Sequence, residues 1–242
     1  MNLIIDVGNT YTKIAIFEDN KLINKVSVKT VNSKNEVAKF KKKYKTLNSA
    51  IVSSVGDLDK ETLSFLNKEF KLQVLSHKTN LPFNNLYSTP KTLGIDRIAL
   101  VCASVEQFPD KNVLIIDAGT CITYDFINTK NEYLGGAISP GIRMRYKAMH
   151  NQTANLPLLE TKTPENFIGD ATDTAMHCGV VNGVLNEIDG SITQYQEKFS
   201  DLTVILTGGD AKMLSKQLKS SIFANSNFLL QGLNFILQYN KH

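Results

Sequence analysis

The sequence predicts an α/β protein built from two domains of similar size, and three observations support this prediction. The segment LIIDVG at residues 3–8 recurs as LIIDAG at residues 114–119. In both halves, apolar runs of strand length alternate with amphipathic segments of helical period, which is typical of mixed α/β domains. The 242 residues suffice for two domains of about 110 to 130 residues, each with its own core.

Each copy of the repeat predicts a buried strand that ends in an aspartate, Asp6 or Asp117, and turns through Gly and Thr into a second strand. A carboxylate, backbone N–H groups and a hydroxyl then lie together. Such a set can hold Mg²⁺, directly or through water, while the N–H groups and the hydroxyl bind phosphate oxygens. Asp-x-Gly alone is common in plain hairpin turns, but its duplication favours two phosphate-binding hairpins enclosing a nucleoside triphosphate.

The first domain, residues 1–110, is predicted to open with a strand meander that turns at Asp19-Asn20. A helix follows in which Val37, Phe40, Tyr44 and Leu47 share one face, so the dense lysines at 39–45 form its solvated side. The remaining predicted elements are a strand at 49–55, a helix at 58–70, a strand at 72–75, a loop at 82–90 and a helix from 94 to about 107.

The composition narrows the class of function. A net charge of +4 is too small to indicate a nucleic-acid partner, and 42% hydrophobic residues are typical of a globular protein. No apolar stretch reaches the length of a membrane span or of a signal-peptide core, so we expect no membrane partner and a cytoplasmic location.

The second domain, residues 111–242, is predicted to contain the second hairpin, helices near 142–150 and 172–198, and a strand at 203–206. The strand leads into Thr207-Gly208-Gly209-Asp210 and a further helix. Paired glycines there allow a ligand to approach the backbone beside a helix N-terminus. Gly-Gly also serves as a plain connector, so this motif supports a nucleotide site only together with the two hairpins.

Asp96 and Arg97 fall in the first turn of a predicted helix, whose partial positive charge favours an acid and disfavours a base. The presence of an arginine at this position is explained if its guanidinium binds an anionic ligand. The bidentate geometry of a guanidinium suits a carboxylate. Asp96, which alone could be an ordinary helix-start residue, could then accept the proton of a substrate hydroxyl during phosphoryl transfer.

Thr172 and a strip of small residues in the second half each allow two interpretations. Thr172 either caps the long helix or offers its hydroxyl to substrate. Ala175, Gly179 and Gly183 form a small-residue strip that fits a close helix contact, either within the chain or in a dimer. His177 is expected to be structural. Solvent exposure is expected for three cations of the 142–150 helix, Arg143, Arg145 and Lys147.

Together these motifs resemble the type III pantothenate kinases, which belong to the superfamily of acetate kinase, sugar kinases, Hsp70 and actin. The resemblance covers nearly the whole chain and rests on the order and spacing of six motifs, at residues 6–10, 94–97, 117–120, 135–141, 153–157 and 207–209. It implies two RNase H-like domains in an actin-like ATPase arrangement, with the second domain carrying an adenosine-side Gly-Gly turn and a dimer helix.

The resemblance also implies ATP-dependent phosphorylation of pantothenate, the first step towards coenzyme A, by a homodimer that uses Mg²⁺ and a monovalent cation, K⁺ or NH₄⁺. Asp96 would be the general base, Asp117 would hold the monovalent cation, and Asp6 would hold Mg²⁺. The residues implied to contact ATP are Asp6, Val7, Gly8, Asn9, Thr10, Tyr11, Thr12, Lys13 and Thr120. Those implied to contact pantothenate are Tyr87, Gly94, Ile95, Asp96, Arg97 and Thr172.

The sequence departs from the family pattern at three places. Ala171 replaces an asparagine, Ile95 replaces an alanine, and the stretch 226–233, where we expect a strand, lacks an Asp-Pro pair. Two classes of alternative function remain. One is a kinase or phosphatase acting on a sugar, acetate, polyphosphate or another carboxylate-bearing alcohol, and the other is a non-catalytic regulator of the same fold. Asp96 and Arg97 favour a kinase with an acidic alcohol as substrate.

Overall fold

The computed structural model describes residues 1–8, 11–53 and 58–241. Its contacts divide the chain into two compact units: unit 1 comprises Met1–Pro109 and Asn227–His242, and unit 2 comprises Asp110–Ser226. None of the helices in the described ranges combines the length and the apolar character needed to cross a membrane.

Unit 1 contains one mixed sheet with the strand order β3-β2-β1-β4-β5. The first three strands are antiparallel neighbours, whereas β1 pairs with β4 and β4 with β5 in parallel. The elements of this unit are β1 (Asn2–Val7), β2 (Tyr11–Glu18), β3 (Lys21–Lys29), α1 (Ser33–Lys43), β4 (Ser49–Val52), α2 (Lys60–Glu69), β5 (Lys71–Val74), β6 (Asn84–Asn85), α3 (Ile95–Gln107) and, near the end of the chain, α8 (Phe228–Tyr239).

Unit 2 repeats this topology. Its strands follow the order β9-β8-β7-β10-β11, again with three antiparallel strands followed by two parallel ones. Its elements are β7 (Asn112–Ala118), β8 (Cys121–Ile127), β9 (Glu132–Pro140), α4 (Ile142–Gln152), α5 (Thr172–His177), a π-helical turn (Cys178–Asn182), α6 (Gly183–Lys198), β10 (Leu202–Thr207), α7 (Ala211–Leu214) and β11 (Phe223–Ala224).

Each unit has its own apolar core, as the alternation of its strands predicts. One face of β1 contributes Leu3, Ile5 and Val7 to a cluster with α1 and α2. The same face of the repeat, with Leu114, Ile116 and Ala118, packs on α4 and on the long helix of unit 2. Because side chains alternate along a strand, Asp6 and Asp117 lie on the opposite face, at the carboxyl ends of β1 and β7.

Two predictions about the end of the chain are wrong. Residues 228–239 form helix α8 and not a strand, and this helix belongs to unit 1, whereas a single boundary at residue 110 assigned it to the second domain. The helix packs closely on α3, because a Cβ atom at Gly232 would lie 1.9 Å from the carbonyl oxygen of Ala99. A buried hydrogen bond ties it to β1, with Asn2 Nδ2 donating to Asn234 Oδ1 at 2.8 Å.

Candidate functional site

The first hairpin places Asp6 at the end of β1, beside a serine that follows the neighbouring strand β4. Ser53 Oγ donates to Asp6 Oδ1 at 3.1 Å and accepts from the backbone N–H of Val7 at 3.1 Å. Ser53 is itself buried. One hydroxyl therefore fixes both the carboxylate and the start of the hairpin turn. Nothing in the sequence around Ser53 indicated this role.

The Asp6 carboxylate lies in an environment that disfavours its charge. Burial raises the pKa of Asp6 above its ordinary value, and the negative charge of Asp96 adds to this effect. Lys13, whose Nζ lies 3.6 Å from Asp6 Oδ2, and the Ser53 hydrogen bond only partly oppose it. Two carboxylates of unit 1 therefore share one electrostatic neighbourhood, and a bound cation would relieve their repulsion.

The other residues of the first hairpin differ in what they can offer a nucleotide. The side chains of Val7 and Thr12 are buried, so only their backbone atoms are available. Tyr11 is 54% exposed, and the Lys13 side chain is half exposed. The N–H of Gly8 donates to the carbonyl of Tyr11 at 3.1 Å. Asn9 and Thr10, which the sequence analysis also assigned to ATP, lie outside the described residues.

The N-terminus of α3 carries the predicted acidic and basic residues, Asp96 and Arg97, side by side. Gly94 is the N-cap, and Asp96 and Arg97 lie in the first turn, as predicted. The Asp96 carboxylate is exposed and accepts from the N–H of Arg97 at 2.9 Å. A Cβ atom at Gly94 would lie 2.4 Å from Asp96 Oδ1, so this position of the carboxylate requires glycine.

Arg97 and Tyr87 lie together beneath this helix start. Arg97 is only 5% exposed, and its guanidinium carbon lies 5.6 Å from the centroid of the Tyr87 ring, within cation–π distance. Ile95, the departure from the family pattern, is partly buried in the same turn. Unit 1 thus brings together most of the predicted pantothenate residues: Tyr87, Gly94, Ile95, Asp96 and Arg97.

The second hairpin repeats the first with a turn that is one residue shorter. Asp6 pairs with Lys13 across the first hairpin, and Asp117 pairs with Thr123 across the second. The N–H of Gly119 donates to the carbonyl of Cys121 at 2.9 Å. Thr120 is exposed at the tip, where its hydroxyl can reach a ligand.

The Gly-Gly turn after β10 rests directly on the second hairpin. Gly208 has a φ of +96°, a backbone conformation that favours glycine. A Cβ atom on Gly208 would lie 2.4 Å from Asp117 Oδ1 and 2.4 Å from the carbonyl oxygen of Ala118. The turn is held there because the N–H of Asp210 donates to the same carbonyl at 3.0 Å. Asp117 and the backbone around Gly208 therefore form one compact oxygen-rich corner.

The cations of α4 are only partly as predicted. Arg143 and Lys147 are exposed, as expected, whereas Arg145 is partly buried. Arg143 and Arg145 also form ion pairs, which were not predicted. Arg143 binds Asp210, and Arg145 Nη2 lies 2.5 Å from Glu187 Oε2 on α6. Sequence periodicity could not reveal these partners, because they are distant in the chain.

The long helix of unit 2 starts at Thr172 and runs through the π-helical turn to Lys198, as predicted. Thr174, and not Thr172, makes the capping contacts, since its Oγ1 accepts from the N–H of Ala171 at 2.9 Å. Thr172 is exposed. His177 is structural, as expected, because its Nδ1 lies 2.7 Å from Tyr146 Oη.

Asp6 is the predicted ligand of Mg²⁺. Within the ranges that the structure describes, no three His, Cys, Asp or Glu side chains converge into a metal-binding group. Mg²⁺ in kinases is usually held by one or two carboxylates together with substrate phosphates and water. Asp6, fixed by Ser53, fits that limited role.

Comparisons with known proteins identify the family of this chain. A sequence model of the type III pantothenate kinase family matches residues 2–194. The protein described as type III pantothenate kinase in Christiangramia forsetii is 51% identical over 241 residues, covering 100% of this chain and 99% of the relative. The corresponding protein of Flavobacterium johnsoniae is 48% identical over 239 residues, covering 99% and 98%.

Solved structures support the fold alone. A Campylobacter jejuni protein described as a Baf family transcriptional activator has a TM-score of 0.62 at 21% identity, covering 98% of both chains. A glucokinase from an Antarctic psychrotroph has a TM-score of 0.53 at 10% identity, covering 99% of both chains. The predicted fold class, two RNase H-like domains of the actin-like ATPase type, is confirmed. By its sequence from residue 2 to 194, and by its full-length relatives, the chain belongs to the type III pantothenate kinase family.

Proposed function

We propose that this chain transfers the γ-phosphoryl group of ATP to the primary hydroxyl of pantothenate, forming 4′-phosphopantothenate and ADP in the first step of coenzyme A biosynthesis. The observation that carries the proposal is the start of α3. There an exposed carboxylate, Asp96, lies next to a buried cation, Arg97. A substrate that carries both a hydroxyl and a carboxylate suits this pair.

Asp96 acts as the general base in this proposal. Its carboxylate accepts the hydroxyl proton as the substrate oxygen attacks the γ-phosphorus, while the bond to the β-phosphate oxygen breaks. Arg97 binds the substrate carboxylate, and Tyr87, whose ring packs on the guanidinium, restricts the orientation of Arg97. The N–H groups of the first helical turn add a favourable field for an anion.

Asp6 would hold Mg²⁺, directly or through water, and the ion would supply positive charge to offset that of the phosphates. Ser53 keeps the Asp6 carboxylate in place by its hydrogen bond. Lys13, exposed and next to Asp6, is positioned to attract the anionic phosphates. The exposed side chain of Tyr11 supplies a further contact to ATP.

The second hairpin contributes Thr120 to ATP and Asp117 to a monovalent cation. The Asp117 carboxylate and the carbonyl of Ala118 lie against Gly208, and oxygen ligands of this kind suit hard cations. We expect K⁺ or NH₄⁺ to raise the rate above that in Na⁺, and Asp117→Asn to lose the dependence. Steady-state rates in the three chlorides at matched ionic strength measure this. Equal wild-type rates in all three salts would contradict a monovalent-cation role for Asp117.

The proposal includes a homodimer formed through the small-residue strip of the long helix. Ala175 and Gly179 are exposed. Apart from the adjacent residues and the backbone of the same helix, no described atom lies within 4 Å of a Cβ built at Gly179. Gly179→Leu should therefore be tolerated within one chain but should separate two. Light scattering measures the mass, with the exposed Gln196→Leu of the same helix as control. A monomeric wild type, or a Gly179→Leu dimer, would exclude this seam.

The function itself is tested by a coupled assay with pantothenate, ATP, Mg²⁺ and K⁺, with the phosphorylated product identified by mass spectrometry. We expect turnover with pantothenate and none after chelation of divalent metal. Glucose, acetate and a pantothenol-type alcohol without the carboxylate serve as comparison substrates. Turnover of a comparison substrate in preference to pantothenate would indicate another kinase specificity, and failure with every substrate would favour a regulator.

A further inference from the structure

The ion pair between Arg143 and Asp210 is more specific than a surface contact. Arg143 Nη1 donates to Asp210 Oδ2 at 3.1 Å, and Nη2 donates to Oδ1 at 3.0 Å, which is a bidentate fork. Asp210 precedes α7, at a position where an aspartate commonly caps the helix with its side chain. Here the side chain makes no such bond, and its two oxygens bind Arg143 instead.

Both partners belong to segments that rest on the second hairpin. On one side, Gly141 precedes α4, and its N–H donates to the carbonyl of Thr120 at 3.0 Å. A Cβ atom on Gly141 would lie 2.3 Å from the carbonyl oxygens of Gly119 and Thr120. On the other side, Asp210 N–H binds the carbonyl of Ala118. The hairpin turn therefore lies between two supports, which the ion pair connects.

The burial of the two partners is unequal. Asp210 is only 6% exposed, whereas 59% of the Arg143 side chain is accessible. Exposed ion pairs contribute little to the free energy of folding. A buried carboxylate that loses its cation, however, keeps a negative charge that no partner neutralises. Without Arg143, the Gly208-Gly209-Asp210 turn would have to move so that Asp210 reaches water, and the same turn packs on Asp117.

We propose that Arg143 and Asp210 are a positioning pair that holds the second hairpin in its nucleotide-binding conformation and thereby sets the affinity for ATP and for the monovalent cation. This inference rests on the proposed function, in which Thr120 contacts ATP and Asp117 holds the cation. Neither member of the pair contacts the reacting atoms. The pair acts through Gly208 and through the start of α4.

The test is calorimetric binding of the Mg²⁺ complex of a non-hydrolysable ATP analogue to the full chain, in K⁺ and in Na⁺. Asp210→Asn and Arg143→Gln should each weaken binding about tenfold or more, as losses of supporting contacts typically do. The double variant should bind no more weakly than the weaker single one, because both changes remove the same interaction. Arg143→Lys keeps the charge but not the bidentate geometry, so its affinity for the analogue should lie between those of the wild type and Arg143→Gln. KM for pantothenate should stay unchanged.

The chain offers a matched control at the other end of the same strands. Lys111 Nζ lies 3.0 Å from Asp201 Oδ2, joining the starts of β7 and β10. Asp201→Asn removes the same charge there and should bind the analogue like the wild type. Wild-type affinity in folded Arg143→Gln, additive losses in the double variant, or an equal loss in Asp201→Asn would overturn the proposal.

Loss of folding and loss of nucleotide binding are measured separately. Thermal unfolding checks each variant, and if Asp210→Asn fails to fold, the variants of the accessible Arg143 decide. The binding measurement needs no pantothenate. A wild-type chain that binds the analogue without phosphorylating pantothenate would therefore contradict the proposed substrate while leaving the positioning pair intact.

Discussion

Replacement of Asp96 by asparagine should lower kcat by about 10²–10⁴-fold, the usual contribution of a general base, while pantothenate still binds. The carboxylate is exposed at the first turn of α3 and keeps its position through the N–H of Arg97. Asparagine preserves the shape and this hydrogen bond but cannot accept the hydroxyl proton as effectively. Steady-state kinetics give kcat, and calorimetry with pantothenate shows whether the substrate remains bound.

Two companion variants separate chemistry from binding. Arg97→Met should mainly raise KM for pantothenate, because the lost contact stabilises the ground and transition states alike. Gly94→Ala should lower kcat with little change in fold, since its methyl group would displace the Asp96 carboxylate. An Asp96→Asn enzyme within a factor of about two of the wild-type kcat would exclude Asp96 as the base.

Replacement of Asp6 by asparagine should have opposite effects on activity and stability. Turnover should fall by about 100-fold or more, comparable to the loss of a preorganised electrostatic group, because the metal and the phosphates lose their carboxylate. The free protein should nevertheless unfold at a higher temperature. Burial raises the pKa of Asp6, which means that the folded state pays for its ionisation and that asparagine removes this cost.

The pH dependence of the stability effect provides a control for this explanation. A raised carboxyl pKa costs no stability below the unfolded-state pKa, and the cost develops as pH rises through the folded-state pKa. The gain in Tm for Asp6→Asn should therefore be present at neutral pH and disappear in strong acid. Ser53→Ala, which removes only the hydrogen bond to Asp6, should lower turnover less and should not raise Tm. A lower Tm for Asp6→Asn at pH 7 would contradict this explanation.

Local sequence patterns predicted the parts of the site whose residues are neighbours in the chain. The two hairpins, the acid and base at the start of α3 and the long helix of unit 2 each depend on residues within one or two elements. The duplicated LIID segment was the strongest signal, because the same chemistry at the same strand position is rarely repeated by chance.

Residues that act through distant partners were missed for a physical reason. Ser53 reaches Asp6 across 47 positions, and Arg143 reaches Asp210 across 67. Neither serine nor arginine looks unusual in its local context, and only the order of the strands brings each pair together. The last helix was mistaken for a strand because a short run of apolar residues such as 228–230 fits either structure until its buried partners are known.

The return of α8 to unit 1 has a consequence for biosynthesis. Residues Asp110–Ser226 are translated after most of unit 1 and before α8. Translation of this segment takes on the order of ten seconds at typical rates. During that interval, the nascent chain lacks the close contact between Gly232 and the Ala99 carbonyl on α3, and Asn2 lacks its buried partner Asn234. Unit 2 is one continuous segment, whereas unit 1 is completed only when α8 has been synthesised. We therefore expect unit 2 to complete its folding before unit 1, which is the reverse of the order of synthesis.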